Sequence, residues 1–244
     1  MTPTVTIGCP VRNRAWNMKA YLLSLERTIY PQESIGFCFL VNDSTDETLE
    51  MLRDWKSKKE QNYKFIDIKE VNLGAIPDER TAATRREIYH HLADVRNRLL
   101  DMVQRRDTDY FFSVDSDILI QHNTLAKLVG EDKDVCAALV HNDRNINRKW
   151  PNRFVNIMVA SNGQYKHYKD YPINDTFEVD VTGAVYLISK SVYNTIRYEW
   201  HKQGEDIGFC ENAKRAGFKI YCNSELYCYH LMNQQKSQGG CRND

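Results

Sequence analysis

The sequence predicts an α/β fold with a mostly parallel central sheet flanked by helices. Between residues 5 and 114, short apolar runs alternate with segments whose apolar residues recur every three or four positions, in the order β-α-β-α-β-α-β. The 244 residues, 42% hydrophobic and 27% charged, fit one large globular domain or two small ones.

The first half of the chain supplies four predicted strands, at residues 5–10, 36–41, 64–68 and 110–114. Asn13 is predicted to cap the first helix, and Ser44 with Glu47 has the spacing of a capping box for the second. The apolar faces of the three intervening helices consist of Met18, Leu22, Leu25 and Ile29; of Leu49, Leu52 and Trp55; and of Ile88, Leu92, Val95, Leu99 and Met102.

The second half has weaker periodicity. Residues 141–180 are polar with interspersed aromatic side chains, which is typical of functional loops. An apolar run at 179–189 is broken by Thr182 and Gly183, and residues 203–206 open a helix that Gly217 is placed to end. Two closing strands are expected at 218–222 and 227–230.

Net charge and cysteine content limit the partners and the cellular compartment that the sequence predicts. Lys+Arg and Asp+Glu both number 33, so net charge makes no general case for nucleic acid or an anionic membrane. No apolar run approaches the roughly 20 residues of a membrane span, and no signal peptide is visible. The seven scattered cysteines indicate a reducing, cytoplasmic setting. Cys222, Cys228, His230 and Cys241 make only a weak zinc candidate, because no C-x-x-C pair occurs.

A pair of carboxylates, Asp115 and Asp117, flanks Ser116 at the end of the fourth predicted strand. Ionised carboxylates at the mouth of a core need a compensating charge, and a divalent cation that also touches substrate phosphates is the natural partner. Residues 10–14 and 42–46 also follow predicted strands. Because ligands bind outside the carboxyl ends of parallel strands, we expect the three polar clusters to converge. Glycine-rich dinucleotide and P-loop motifs do not occur.

The order of these motifs resembles the GT-A glycosyltransferases, and most of all glycosyltransferase family 2. The resemblance spans residues 5–230. It rests on the first strand with its loop to Asn13, on the 41–46 turn, in which Asn42 replaces an aspartate, and on Val95-Arg96-Asn97. Asp115-Ser116-Asp117, Gly204-Glu205-Asp206 and His230 complete the series.

The resemblance implies one GT-A domain. Residues 1–117 would form its nucleotide-sugar-binding half and 118–232 its acceptor-binding and catalytic half. Separately, the polar composition of residues 233–244 predicts a mobile tail. The resemblance also implies a role for each motif residue. The donor-binding residues would be Pro10, Arg12, Asn13, Asp43, Arg96, Asp115 and Ser116, with Asp43 accepting a hydrogen bond from the base. The ligands of Mn²⁺ or Mg²⁺ would be Asp115, Asp117 and His230. Asp206, with Glu205, would be catalytic, Asp206 as the general base of an inverting transfer from a nucleotide-diphospho-sugar, most simply a UDP-sugar.

Alternatives stay open at this stage. A retaining transferase of the same fold, a sugar-phosphate nucleotidyltransferase and a non-catalytic carbohydrate-binding protein all fit parts of the pattern. Glu205 and Asp206 could simply favour a helix N-terminus, and a lone histidine on an apolar strand is often a core residue. The acceptor could be a saccharide, a peptide or a modified nucleic-acid base, and a basic cluster keeps an anionic acceptor open. That cluster consists of Arg144, Arg148, Lys149 and Arg153.

Overall fold

In the computed structural model, which describes residues 2–74, 81, 84–140 and 155–231, the chain folds around a nine-stranded sheet. The α/β class and the mostly parallel sheet are confirmed. The sheet begins with four parallel strands in the spatial order β3-β2-β1-β4. Their bounds are Val5–Val11 for β1, Ile35–Asn42 for β2, Phe65–Val71 for β3 and Tyr110–Val114 for β4.

The crossover helices of this parallel half are α1 (Met18–Glu26), α2 (Thr48–Lys59) and α3 (Arg85–Gln104). The apolar faces of α1 and α2 pack on the side of the sheet that carries Phe37, while α3 covers the opposite side with Val95 and Leu99. Each predicted strand and helix of the first half therefore exists. Ile29 lies past the end of α1 and is exposed, so its predicted place on that apolar face is wrong.

The remaining strands extend the sheet in the order β4-β10-β6-β11-β5, with β9 beside β11. Only β10 runs antiparallel to both β4 and β6. The bounds are Ile118–Leu119 (β5), Val135–Val140 (β6), Thr176–Glu178 (β9), Val185–Ser189 (β10) and Ile220–His230 (β11). Met158–Ser161 (β7) and Gln164–His167 (β8) form a separate hairpin. The helices are Thr124–Gly130 (α4), Lys190–Thr195 (α5) and Glu205–Arg215 (α6).

Both predicted helix caps are wrong. Asn13 adopts a left-handed backbone conformation with φ of 50°, and its Oδ1 accepts a hydrogen bond from the Thr45 amide at 2.8 Å. Ser44 accepts from the Asn13 amide at 3.1 Å, and the first turn of α2 is instead served by Asp46, whose Oδ1 accepts from the Thr48 amide. The polar groups of Asn13 and Ser44 are thus used in hydrogen bonds that join the loop after β1 to the loop after β2, and they are not available to cap a helix.

Two other features bear on the sequence-based expectations. The six cysteines in the described part of the chain are free and buried, as expected of small apolar side chains. No helix formed by described residues is both long and apolar enough to cross a bilayer. The basic cluster at 144–153 and the predicted tail at 233–244 lie outside the described residues.

A glycine in α6 sets how closely this helix approaches the chain before it. A Cβ built on Gly208 would lie 2.1 Å from the backbone oxygen of Glu199, whereas one built on Gly130 at the end of α4 meets nothing within 4 Å. We therefore expect Gly208→Ala to lower the free energy of unfolding by about 1 to 3 kcal/mol, because the added methyl group would overpack this contact.

The matched control is Gly130→Ala, which should be neutral or stabilise the chain by up to about 1 kcal/mol. Urea unfolding monitored by circular dichroism measures both changes. Equal midpoints for the two variants would show that α6 does not depend on the close approach at Gly208.

Candidate active site

An open cleft of about 660 Å³ lies at the carboxyl edge of the parallel strands. Residues from all three polar clusters line it, which confirms the predicted convergence. They are Pro10, Arg12, Asn13, Arg14, Asn42, Asp115, Ser116 and Asp117. The opposite wall comes from the second half of the chain and includes Asn156, Gly183, Glu205, Asp206 and His230. The volume suits a ligand of nucleotide-sugar size.

The backbone holds the Asp115-Ser116-Asp117 turn rigidly. The Asp115 amide donates to the Ala184 carbonyl at 2.8 Å, and the side chain of Asn17 donates to the Ser116 carbonyl at 2.7 Å. Ser116 is buried, so it contributes to this turn chiefly through its backbone. The two carboxylates therefore leave the end of β4 in fixed and different directions.

Asp117 lies between two basic groups. Its Oδ2 accepts a hydrogen bond from Arg14 Nη2 at 3.0 Å and lies 3.6 Å from His230 Nε2. Antiparallel pairing of His230 with Ile118 brings the histidine to this position, and the Leu231 amide donates to the Asp117 carbonyl. Although burial opposes ionisation, His230 and Arg14 together lower the pKa of Asp117. Asp117 is therefore a charged carboxylate beside an imidazole.

Arg96 joins the other carboxylates of the cleft. Arg96 is 7% exposed, and its Nη2 donates to Asp115 Oδ1 at 3.0 Å. Its Nε donates to Glu205 Oε1 at 3.2 Å and lies 3.6 Å from Asp206 Oδ1. One buried positive charge thus faces three carboxylates on two different elements. The predicted contact of Arg96 with the diphosphate of the sugar donor stays a prediction. In this structure the Nε and Nη2 groups of Arg96 are hydrogen-bonded to protein carboxylates.

Asp206 stands in the first turn of α6, where its surroundings disfavour the charged form. Burial raises its pKa to about 7, with further raising by Glu205 and Asp115 that Arg96 and a hydrogen bond from Tyr186 only partly offset. The Tyr186 hydroxyl donates to Asp206 Oδ1 at 3.3 Å. Oδ2 lies over Gly183, where a Cβ would be 2.4 Å away. A carboxylate with a pKa near neutrality suits proton abstraction.

The predicted base-binding aspartate has local partners. Asp43 has φ of 49°, and its Oδ1 accepts hydrogen bonds from the Leu73 and Gly74 amides at 2.9 and 3.1 Å. Its neighbour Asn42 lines the cleft. The carboxylate therefore fixes the loop after β3 against the loop after β2, and its predicted contact with the base stays a prediction.

The oxygen and nitrogen donors of this cleft fit a divalent cation only in part. Among described residues, no three His, Cys, Asp or Glu side chains are close enough to hold one ion. Asp117 and His230 are adjacent, whereas Asp115 faces Arg96. A carboxylate next to an imidazole suits Mn²⁺ better than Mg²⁺, which prefers oxygen ligands alone.

Several residues of the site escaped the sequence-based prediction. Arg14 belongs to the first polar cluster, but no local pattern distinguishes it from Arg12. Asn156 is buried and donates from Nδ2 to the carbonyls of Ala138 and Gly183, both at 2.9 Å, which holds Gly183 beside Asp206. The break in the apolar run at Thr182 and Gly183 was the available signal for this contact.

Comparison with protein families identifies a match over almost the whole chain. Residues 2–242 match the model described as glycosyltransferase family 25, N-terminal domain. The resemblance to GT-A glycosyltransferases is thereby confirmed, although the matching model is that of family 25 whereas the motif order most resembled family 2.

Curated relatives with a similar extent of match include proteins named as galactosyltransferases and proteins named as inactive. Procollagen galactosyltransferase 2 of Homo sapiens is 23% identical over 93% of this chain and 38% of its own length. Inactive glycosyltransferase 25 family member 3 of Mus musculus is 24% identical over 93% of this chain and 40% of its own. The chain thus spans about two fifths of the length of these relatives.

Solved structures share the fold. A mannosyltransferase from Pyrobaculum calidifontis, determined with GDP-Man and Mn²⁺, superposes with a TM-score of 0.60 at 15% identity. The match covers 97% of this chain and 59% of that one. At this identity the likeness establishes a GT-A, Rossmann-like architecture.

The crowding of carboxylates around Arg96 predicts a pH-dependent cost at Asp206. The ordinary aspartate pKa is 3.8 and that of folded Asp206 is about 7, so unfolding releases a proton between these values. The charge on Asp206 therefore destabilises the folded chain increasingly as pH rises from about 4 to about 7. Asp206→Asn should be more stable than wild type at pH 8 by about 1 kcal/mol or more, roughly 2–4 °C in Tm, and equal to it near pH 4.

Thermal unfolding from pH 4 to pH 9 with a chelator present measures this difference. Asp94→Asn, which removes an exposed carboxylate paired with Arg98 on α3, is the control and should show no such pH dependence. A variant Asp206→Asn that is less stable than wild type at pH 8 would contradict the inferred crowding.

Proposed function

The chain belongs to glycosyltransferase family 25 and carries its N-terminal domain, and from that premise we propose that it transfers a hexose from a nucleotide-diphospho-sugar to an acceptor hydroxyl with Mn²⁺ as cofactor. A UDP-sugar is the proposed donor, with galactose as the first sugar to test because a relative is named a galactosyltransferase. The cytoplasmic setting suggested by the cysteines also stays a prediction.

One observation carries this proposal. The cleft holds two acidic centres of opposite character, Asp117 with a lowered pKa and Asp206 with a pKa raised to about 7. Carboxylates whose surroundings push their pKa values apart are suited to different tasks. Asp117 is suited to hold a cation, and Asp206 is suited to exchange a proton.

The donor would lie against the first half of the chain. Arg12 and Arg14 line the cleft, Arg14 beside Asp117, and would supply planar, charged donors for a diphosphate. Asp117 and His230 would hold the cation. When bound, Mn²⁺ supplies positive charge that stabilises the departing diphosphate.

The acceptor would enter beside the second half of the chain. Asp206 takes the proton of the acceptor hydroxyl as its oxygen forms a bond to the anomeric carbon and the bond from that carbon to the diphosphate breaks. Attack opposite the leaving group inverts the anomeric configuration. A retaining course is the alternative, and proton NMR of the first-formed product distinguishes the two.

The acceptor is proposed from the relatives' names. Because a relative is named for procollagen, a hydroxyl-bearing peptide is the first acceptor to test, ahead of free saccharides. A relative named as inactive makes a non-catalytic role the competing hypothesis. The presence of Asp117 and Asp206 in one cleft supports turnover in this chain.

Donor binding gives the first functional test. Isothermal calorimetry with UDP, GDP, UDP-Gal and GDP-Man should detect the UDP ligands with Mn²⁺ present and lose them on chelation. Asp117→Asn should weaken this binding by at least about tenfold, whereas Asp206→Asn should leave it within about twofold, because only Asp117 lies where the cation is proposed. Binding of UDP that is indifferent to Mn²⁺ and to Asp117→Asn would exclude the proposed cation site.

Transfer should depend on ionised Asp206. Below a pH of about 7, kcat/KM should fall by about tenfold per unit and level off above it, because the base must be deprotonated. Asp206→Asn should slow transfer by about 10² to 10⁴-fold with donor binding retained. Rates measured from pH 5 to pH 9 check both expectations, and a rate that is unchanged in Asp206→Asn would remove Asp206 from the mechanism.

A further inference from the structure

Two buried tyrosines meet Asp206 from behind the cleft. Tyr186 lies on the central strand β10 and Tyr198 on the segment that leads into α6, and both side chains are almost fully buried. Their hydroxyls are hydrogen-bonded to each other, and Tyr186 also reaches Asp206 Oδ1 at 3.3 Å. Neither tyrosine has a role in the reaction as proposed above, which leaves the function of this buried pair of hydroxyls to be explained.

The two tyrosine rings pack against α6, the helix that carries Asp206. Tyr198 stacks on Phe209 with a centroid separation of 4.5 Å, and Tyr186 lies 6.1 Å from the same ring. Phe209 follows Asp206 by about one turn of α6. The side chain of Asn97 brackets the Tyr198 backbone with two hydrogen bonds of 2.9 Å. The hydroxyls are therefore fixed relative to the first turn of α6.

The count of protons sets the direction of these hydrogen bonds. A tyrosine hydroxyl has one proton, and Tyr198 has no other hydrogen-bond acceptor among the described residues than Tyr186. When Tyr198 donates to Tyr186, the proton of Tyr186 is left for Asp206. Burial raises the pKa of both phenols well above the usual value, so both stay protonated wherever transfer is measured.

We propose that Tyr186 and Tyr198 form a positioning pair for the general base, holding Asp206 Oδ1 so that Oδ2, over Gly183, faces the acceptor. The inference rests on the proposed function and adds two residues to that site. Each step of the hydrogen-bond chain strengthens the next, so Tyr198 acts on Asp206 through Tyr186.

Other charged and titratable groups also face Asp206 and must be held constant in a test. They are Arg96 on α3, Asp115 after β4, and Glu205 and Cys210 on α6. Removal of a hydroxyl from either tyrosine leaves all four in place. The change in the titration of Asp206 then reports the tyrosine pair alone.

The test compares Tyr186→Phe and Tyr198→Phe with Tyr193→Phe, a buried tyrosine whose hydroxyl bonds to the Thr108 carbonyl instead. Carbon-13 NMR of protein labelled at aspartate carboxyls follows Asp206, assigned by the signal that Asp206→Asn loses. The pKa of Asp206 should rise in the order wild type, Tyr198→Phe, Tyr186→Phe, by about one unit for the last, because hydrogen bonds to the charged form are lost. Tyr193→Phe should titrate as wild type.

The kinetic readout separates positioning from folding. At pH 7, kcat of Tyr186→Phe should fall roughly five- to tenfold with the donor KM unchanged, and it should recover as pH rises to 9. If Tyr186→Phe does not fold, Tyr198→Phe still gives both readouts. Titration of Asp206 that is identical in wild type and in the tyrosine variants overturns the pair, even in an active enzyme. If the tyrosine variants shift the titration of Asp206 but the protein transfers no sugar, the tyrosine pair is supported and the proposed function is wrong.

Discussion

The buried guanidinium of Arg96 is the interaction on which the site depends. It binds Asp115 at the end of β4 and Glu205 in the first turn of α6, and it lies beside Asp206. The first of these carboxylates belongs to the wall of the cleft that the first half of the chain forms, and the other two belong to α6 in the second half. A single side chain on α3 therefore links the two walls of the cleft.

Around Arg96, one positive charge faces three carboxylates. Burial is the largest cause of the raised pKa of both Asp206 and Asp115, and neighbouring carboxylates raise both values further. The pKa of Asp117 is lowered instead, although burial opposes this, because His230 and Arg14 lie beside its carboxylate. A cluster of buried carboxylates lowers stability, and such clusters with shifted pKa values are typical of functional sites.

The sequence predicted the framework better than its details. Periodicity located the four parallel strands and three helices, because each buries a regular apolar face. It missed α4 and β6, whose short apolar runs lack a distinctive period, and it misassigned the caps at Asn13 and Ser44, since partners distant in sequence take those side chains.

In the candidate site, too, local sequence patterns predicted some residues, whereas contacts between distant parts of the chain determine others. Asp115 and Asp117 were predictable from their place at the end of a strand, and His230 from the order of motifs. Arg14, Asn156 and Tyr186 were not. No local pattern separates Arg14 from Arg12, and only the antiparallel insertion of β10 between β4 and β6 brings Asn156 to Gly183 and Tyr186 to Asp206. Local pattern thus located the strand ends, while tertiary pairing determined which side chains share a proton or a charge.

The most direct test of this account is a mutant cycle on Arg96, with stability measured by urea unfolding at pH 8. Arg96→Met alone leaves buried carboxylates without a counter-charge and should cost about 3 to 5 kcal/mol. In a chain that already carries Asp115→Asn and Glu205→Gln, the same substitution should cost at least about 1 to 2 kcal/mol less. An equal cost in both backgrounds would contradict the claim that Arg96 holds the site together by compensating these charges.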